Sequence, residues 1–317
     1  MRIKIFPKNE QAFSKFFIVL TPLFLLLLGT IALTKEAYFI FAAILPQNSF
    51  LNSGYLEKLN NHITYNLMLS FLIVFLTVYL LPKTLGRKLL IFPIFFLTSL
   101  GIIGLESLDL LLGVLFPETF LFFGNTSYTL IFKILIFFAF VGLTILNILA
   151  KKEASLFVSS QYLFGASIFY LISLLIYRAD FVVFSDNFFI NSMYVSTHIY
   201  VGYSFVFLSL LHFMITKGIN ATLYSKTLGS IGFWGFLFLL PWSNFKFYFG
   251  SVLPNWIENI SLYLSISLSL PLLAISVNFF RTVSTRIDEN KVIYSLMSFS
   301  FGIFVITNIF QIVSSLS

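Results

Sequence analysis

Long apolar runs separated by short polar connections make up most of the chain. A transmembrane α-helix needs about 20 predominantly apolar residues, and nine of the runs reach or approach that length. The predicted spans are residues 16–34, 63–81, 89–105, 130–150, 156–176, 192–216, 227–249, 260–280 and 292–314. The pattern therefore predicts an all-α, polytopic membrane bundle of about nine transmembrane helices, which forms a single membrane domain over residues 1–317.

The composition excludes several classes of protein. Hydrophobic residues make up 59% of the chain and charged residues only 10%, whereas about 25% of the residues in a typical soluble domain are charged. A water-soluble enzyme and a nucleic-acid-binding module are excluded, and the lipid bilayer is the expected environment. The chain has no cysteine, which excludes disulfides, thiolate nucleophiles and cysteine-ligated metals.

The basic residues alternate between successive connections. Fourteen of the 19 Lys and Arg residues lie in the N-terminal tail or in every second connection, and the other connections are acidic or balanced. Positive charge in short loops marks the cytoplasmic side of a membrane. This alternation predicts a cytoplasmic N-terminus and, after nine crossings, a C-terminus outside.

Ionisable side chains inside a span usually mark functional sites, and the predicted spans contain few of them. Lys133 lies near the outer end of the fourth span, where a lysine is expected to extend its ammonium group to the interface. Glu106 follows the third span and is expected to be solvated. With no carboxylate expected near the middle of a span, the sequence argues against a carboxylate-based proton pump or ion-coupled transporter.

The three histidines are candidate metal ligands, because neutral imidazoles on facing helices ligate heme iron or copper. His62 and His198 are both predicted near the outer side of the membrane, and His212 near the cytoplasmic side. A hydrogen-bonded or interfacial histidine is the alternative for each of them. No two histidines stand at ligand spacing within one stretch, so His62 and His198 are candidate heme ligands and no metal site is predicted.

Aromatic residues cluster around the seventh predicted span, at Trp234, Trp242, Tyr248 and Trp256. An aromatic belt at the membrane interface is the simplest interpretation. The polar segment 244–259 has the position of a pore loop, but it contains no selectivity-filter pattern.

Several segments, in this order, resemble the catalytic subunit I of cbb3-type (C-family) cytochrome c oxidases, a heme–copper oxidase family. Residues 51–90, with LNSGYLEKLNNHITYN, are similar to the start of the family's second helix, and residues 151–178 to its fifth. The HIYVG sequence at 198–202 resembles the opening of the sixth helix. Residues 224–256, which end in LPNW, are similar to the seventh helix and its exit, and residues 290–317 to the ninth. The resemblance implies a subunit I-like bundle in a respiratory-chain complex of a bacterial cytoplasmic membrane, with other membrane subunits as partners.

The family's ligand positions are mostly occupied by other residues here. Asn60 stands where the low-spin heme ligand is expected, and His62 is displaced from it by two residues, about 200° around a helix. The first copper ligand falls on His198 by motif or on Ser196 by spacing, and the copper-binding pair falls on Lys246 and Phe247. The family's tyrosine falls on Leu240, and the chain ends before the tenth helix, which brings the remaining heme ligands.

The resemblance with these departures implies a non-catalytic homologue of subunit I, a structural or accessory subunit that is not an oxidase by itself and binds no cofactor. Two alternatives stay open. The first is a membrane subunit that transfers electrons through a b-type heme held by His62 and His198. The second is a transporter or channel.

A bundle without hemes or copper must fill that volume with side chains, since cavities are destabilising. We therefore expect a closed, aromatic core around the seventh span. The residues expected to fill it are Phe233, Phe236, Phe238, Phe245, Phe247 and Phe249.

Overall fold

The computed structural model describes residues 58–116, 127–151, 157–183, 194, 196–218, 221–243, 255–284 and 291–313. All regular structure within these ranges is helical, as the apolar pattern predicts. Four of the features discussed above lie outside the described residues, namely the first predicted span (16–34), Tyr248, the copper-pair positions Lys246 and Phe247, and the predicted filling residues Phe245 and Phe249. The chain divides into two compact units, Met1–Ala154 (unit 1) and Ser155–Ser317 (unit 2). A membrane domain can hold two compact units, so the predicted single domain stays a prediction.

Three helices form the described part of unit 1. They are α1, Lys58–Leu85, α2, Phe92–Leu115, and α3, Ser127–Leu149. Residues His62–Leu67 of α1 are π-helical. At its C-terminus α1 stops at Gly86, whose φ of 66° is left-handed. Glycine adopts this conformation without the steric cost of a Cβ, which explains the sharp end.

Unit 2 contains the other described helices. They are α4, Val158–Val183; α5, which consists of Ser196–Val201, Gly202–Phe213 and Met214–Gly218; α6, Lys226–Ser243; α7, which consists of Asn255–Ser267 and Ser269–Ser284; and α8, Lys291–Val313. The first and last parts of α5 are π-helical. The interruption of α7 at Leu268 has a local cause in Pro271, since a proline ring clashes with the carbonyl of the residue four positions earlier.

Five of the described helices are long and apolar enough to cross a membrane. Their apolar segments are Lys58–Leu85, Phe92–Leu115, Thr129–Leu149, Val158–Ile176 and Asn255–Ser284. The helices Gly202–Lys217 and Tyr294–Phe310 are also apolar but shorter. Each described helix overlaps one of the second to ninth predicted spans, and α2 continues to Leu115 instead of ending near residue 105. The chain is a helical membrane protein.

The expected aromatic core forms only in part. Phe233 and Phe236 are buried, but Phe238, on the same helix, has 63% of its surface exposed. Trp234, Trp242 and Trp256 are exposed as well. The described aromatic residues of α6 are therefore divided between the interior and the surface.

Candidate functional site

Two carboxylates lie buried on one face of α2. Glu106 and Asp109 are three residues apart, a spacing that places two side chains side by side on a helix. Their exposed fractions are 1% and 0%. The expectation that Glu106 is solvated at a helix end is therefore wrong, because α2 extends through Asp109 to Leu115 and carries both acids inside the unit.

Lys133 of α3 is the counter-ion of both acids. Its Nζ lies 2.7 Å from Glu106 Oε2 and also forms an ion pair with Asp109. The hydroxyl of Thr129, one turn before Lys133 on α3, donates a hydrogen bond to Asp109 Oδ1. Lys133 is only 3% exposed, so the prediction that it extends to the interface is wrong. The carboxylates of Glu106 and Asp109 replace the water molecules that would solvate a lysine at the interface.

His62 of α1 completes the cluster. Its Nε2 lies 2.9 Å from the backbone carbonyl oxygen of Glu106 and 3.8 Å from Glu106 Oε2. Asn66, one turn later, has its Nδ2 3.4 Å from His62 Nδ1. A neutral imidazole with its proton on Nε2 satisfies this geometry, because Nε2–H donates to the carbonyl and Nδ1 accepts from the amide. We call His62, Glu106, Asp109 and Lys133 the charged cluster.

The formal charges of the cluster do not balance. Counted over these four residues alone, two ionised carboxylates face one ammonium group and a neutral His62 adds no charge, so their formal charges sum to −1. Burying an uncompensated charge in a low-dielectric environment is costly. One proton bound to a carboxylate makes the formal charge of these four residues zero. The four residues therefore have room for one proton in their charge count.

The same groups have some of the geometry of a metal site. His62, Glu106 and Asp109 each offer one ligand atom, and these atoms lie within 4.8 Å of one another. The ammonium group of Lys133 already occupies the position between the two carboxylates. A divalent cation there is opposed by the lysine charge, so the residues fit a proton better than a metal ion.

Sequence reasoning treated Glu106 and Lys133 separately and so missed the cluster. Glu106 and Asp109 share a helical face three residues apart, and Thr129 and Lys133 share one four residues apart. The available signal was a pair of acids on one helix, followed on the next helix by a polar pair that contains a lysine.

The two other histidines lie in the interior of unit 2. His198 is fully buried, and its Nδ1 lies 2.6 Å from the hydroxyl oxygen of Ser173. Its ring contacts those of Tyr170 and Tyr194, with centroids 4.7 and 4.9 Å away. His212 donates from Nδ1 to the carbonyl oxygen of Leu208 over 2.8 Å. Each of these histidines has a hydrogen-bond partner within its own unit.

The heme hypothesis requires His62 and His198 together, and they belong to different units. Within unit 1, the Nε2 atom of His62 is engaged by the carbonyl oxygen of Glu106. Heme binding by these two residues stays a prediction.

The apolar helices and the buried charged cluster define the class of this chain, a helical integral membrane protein with an ionisable site in its interior. No model of a known protein family matches the chain, and no curated protein matches it either. The resemblance to subunit I of the cbb3-type oxidases therefore stays a prediction.

Proposed function

We propose that this chain is a membrane transport protein that binds and releases protons at the charged cluster. One observation carries the proposal, namely that the two buried carboxylates of Glu106 and Asp109 share the buried ammonium group of Lys133 in the part of unit 1 that the structure describes. Ionisable groups inside membrane helices are costly, and in known membrane proteins they mark ion pathways and proton relays.

A purely structural ion pair is the main competing explanation. Such a pair needs one acid for one base, and it joins α2 to α3 without a second carboxylate. The surplus acid is what a static contact does not explain. It is also the group that gives the cluster an exchangeable proton, so the proposal rests on the count of charges and on their burial.

Infrared difference spectroscopy of the protein in nanodiscs, recorded against pH, tests the proton site. We expect a carbonyl band of a protonated carboxylic acid that disappears as the pH rises. Asp109→Asn removes the surplus acid but keeps the Glu106–Lys133 pair, so this variant should fold and should lose the band. Glu258→Gln, at another buried acid on α7, is the matched control and should keep it. If the band is unchanged in both Asp109→Asn and Glu106→Gln, the protonated acid does not belong to the charged cluster and the proposal is contradicted.

Proton flux into liposomes tests the transport function. The liposomes contain a pH-sensitive dye, and a potassium diffusion potential drives protons inward. We expect the protein to accelerate acidification, Asp109→Asn to reduce the rate to that of protein-free liposomes, and Glu258→Gln to leave it unchanged. Equal rates with and without the unsubstituted protein would reject transport even if the infrared band is present.

We further propose nine transmembrane helices in a bacterial cytoplasmic membrane, with the N-terminus inside and the C-terminus outside. The alternation of basic connections supports this orientation. Because the chain has no cysteine, single cysteines report topology directly. Ser317→Cys should react with an impermeant maleimide added from outside, whereas Lys151→Cys should not, and the reverse pattern would overturn the orientation.

The resemblance to cbb3-type subunit I supports a second candidate, a non-catalytic homologue that is an accessory subunit of a respiratory-type complex. This function predicts that other membrane subunits copurify from native membranes and that the purified chain consumes no oxygen. Cyanide-sensitive turnover by the chain alone would refute it. A Soret band that is lost on His62→Ala or His198→Ala would instead favour the heme-binding alternative.

A further inference from the structure

Two basic residues lie together at one end of unit 2, where the connection between α5 and α6 packs against the end of α7. The backbone N–H of Tyr224 donates a hydrogen bond to the hydroxyl oxygen of Thr282 over 2.9 Å. Lys226 follows two residues after Tyr224, at the start of α6. Arg281 immediately precedes Thr282, and both basic side chains are exposed. The contact between the connection and α7 therefore brings two cations to the same end of the unit.

The described residues place no acid beside these cations. The acids of unit 2 within the described ranges are Asp180 and Glu258. Glu258 belongs to the first turn of α7, about 35 Å along the helix axis from Arg281. Asp180 lies near the end of α4, and it is the start of α4 that packs against the start of α6. Residues 285–291 contain two basic and two acidic residues, so they leave the sum of charges unchanged. A positive end of this kind favours an anionic partner.

The length of α7 places Arg281 at the level of the lipid headgroups. This helix is among those long and apolar enough to cross a membrane, and its 30 residues extend over about 45 Å. The hydrocarbon core of a bilayer is about 30 Å thick, so each end of a centred, upright α7 reaches about 7 Å beyond the core. Arg281 lies within one turn of the last residue, Ser284. The anions available at this level are the phosphates of lipids.

An exposed apolar stripe on α7 leads from Arg281 towards the middle of the membrane. The stripe consists of Leu270, Leu273, Val277 and Phe280, whose exposed fractions lie between 46% and 68%. Their spacing places them on one face of the helix. The stripe is about 15 Å long, which is half of the hydrocarbon core and so the depth of one leaflet. A lipid of that leaflet can contact both Arg281 and the stripe.

We propose that Lys226, Arg281 and the stripe on α7 bind an anionic phospholipid, whose phosphate pairs with the two cations and whose acyl chain lies along the stripe. A free phosphate ion offers the same charge, but it makes no use of the apolar stripe. Basic clusters at the ends of membrane helices are known to bind anionic headgroups. The site belongs to unit 2 alone and does not depend on proton transport at the charged cluster.

A fluorescent label at Ser284 reports binding, because this residue is exposed on the last turn of α7 and the chain has no other cysteine to react. Ser284→Cys carries a bimane group, and a phospholipid with a nitroxide near the start of its acyl chain quenches that group on contact. The labelled protein in detergent micelles is titrated with spin-labelled phosphatidylglycerol and with phosphatidylcholine of identical chains. We expect saturable quenching by phosphatidylglycerol and weaker binding of phosphatidylcholine, whose choline cation is repelled by the basic residues.

Four further variants locate the lipid. Arg281→Met and Lys226→Met should each weaken phosphatidylglycerol binding about fivefold, the contribution of one basic residue near an anionic headgroup. Lys217→Met is the matched control, because this lysine is also exposed at this end of unit 2 but lies over the ring of Phe157, 5.0 Å from its centroid. This control should leave both affinities unchanged. Leu273→Ser makes the stripe polar and should weaken the binding of both lipids.

Three results would overturn the proposal. The first is equal quenching by the two lipids. The second is an equal loss of phosphatidylglycerol affinity in Lys217→Met and Arg281→Met, which would show that only the total charge of this end matters. The third is displacement of phosphatidylglycerol by millimolar inorganic phosphate but not by sodium chloride of the same ionic strength, which would assign the two cations to a free phosphate ion.

Discussion

The α2–α3 pair of unit 1 and the α6–α7 pair of unit 2 are held together by different means. Between α2 and α3 the strongest contacts are ionic, since Lys133 lies between Glu106 and Asp109. Between α6 and α7 the contact depends on two glycines of α6, which have no side chain. A Cβ added to Gly232 would lie 2.3 Å from Ile275 Cγ1, and one added to Gly235 would lie 2.5 Å from Pro271 Cβ.

The difference shows which contact has a purely structural explanation. Helices in lipid associate mainly through close packing, and small residues allow their backbones to approach. The glycines of α6 follow this rule and need no further function. Buried charges do not improve packing, and they cost free energy to desolvate. The ionic contact of unit 1 therefore calls for a functional explanation, whereas the glycine contact of unit 2 does not.

The largest effect is expected from removing the shared counter-ion. Lys133→Met leaves Glu106 and Asp109 buried without a cation, and breaking a buried pair in this way costs about 3–5 kcal/mol. Thermal unfolding of the purified protein in detergent measures the loss. Lys88→Met, at an exposed lysine in the connection after α1, is the matched control and should change stability by less than about 0.5 kcal/mol.

A charge-balanced background tests the reason for that loss. Lys133→Met combined with Glu106→Gln and Asp109→Asn leaves no formal charge at the site, so most of the stability should return. If Lys133→Met alone unfolds at the temperature of the unsubstituted protein, the ionic account of the α2–α3 contact is wrong.

A smaller loss is expected at the glycine contact. Gly232→Ala places a methyl group against Ile275, and overpacking of this kind costs about 1–3 kcal/mol. Gly302→Ala on α8 is the control, because a Cβ there meets nothing within 4 Å. This control should be neutral or slightly stabilising, since alanine is the better helix former.

A compensating change distinguishes the steric clash from a backbone effect. Adding Ile275→Ala to Gly232→Ala removes the two atoms that the new methyl group meets most closely. The double variant should therefore lose less stability than the sum of the losses in Gly232→Ala and Ile275→Ala. A loss equal to that sum would show that the methyl group does not clash with Ile275.

The smallest effect is expected at His198 of unit 2, because its contact with Ser173 is a neutral hydrogen bond and not an ion pair. Ser173→Ala removes the hydroxyl next to His198 Nδ1, and a typical neutral bond contributes about 1 kcal/mol. Ser267→Ala removes an exposed hydroxyl that donates only to the Tyr263 carbonyl of its own helix, and it should have almost no effect. Equal unfolding temperatures for the two variants would show that the His198 contact contributes nothing.

Most described helices could be predicted from the sequence, because a segment in lipid must satisfy its backbone hydrogen bonds internally and an apolar run of sufficient length has to become a helix. The errors occurred where polar residues lie inside a helix. The sequence predicted that the third span ends before Glu106 and Asp109, but α2 continues through both residues.

The sequence by itself determined the class of the protein, the positions of its apolar helices and the residue types available for chemistry. Only the tertiary structure decided that Lys133 meets Glu106, 27 residues away along the chain, and that the backbone of Tyr224 meets Thr282, next to Arg281. The physical reason is that hydrophobicity places a segment in the membrane but does not set its rotation about its own axis. That rotation depends on the packing of neighbouring helices, and it determines whether an acid faces lipid, water or a lysine.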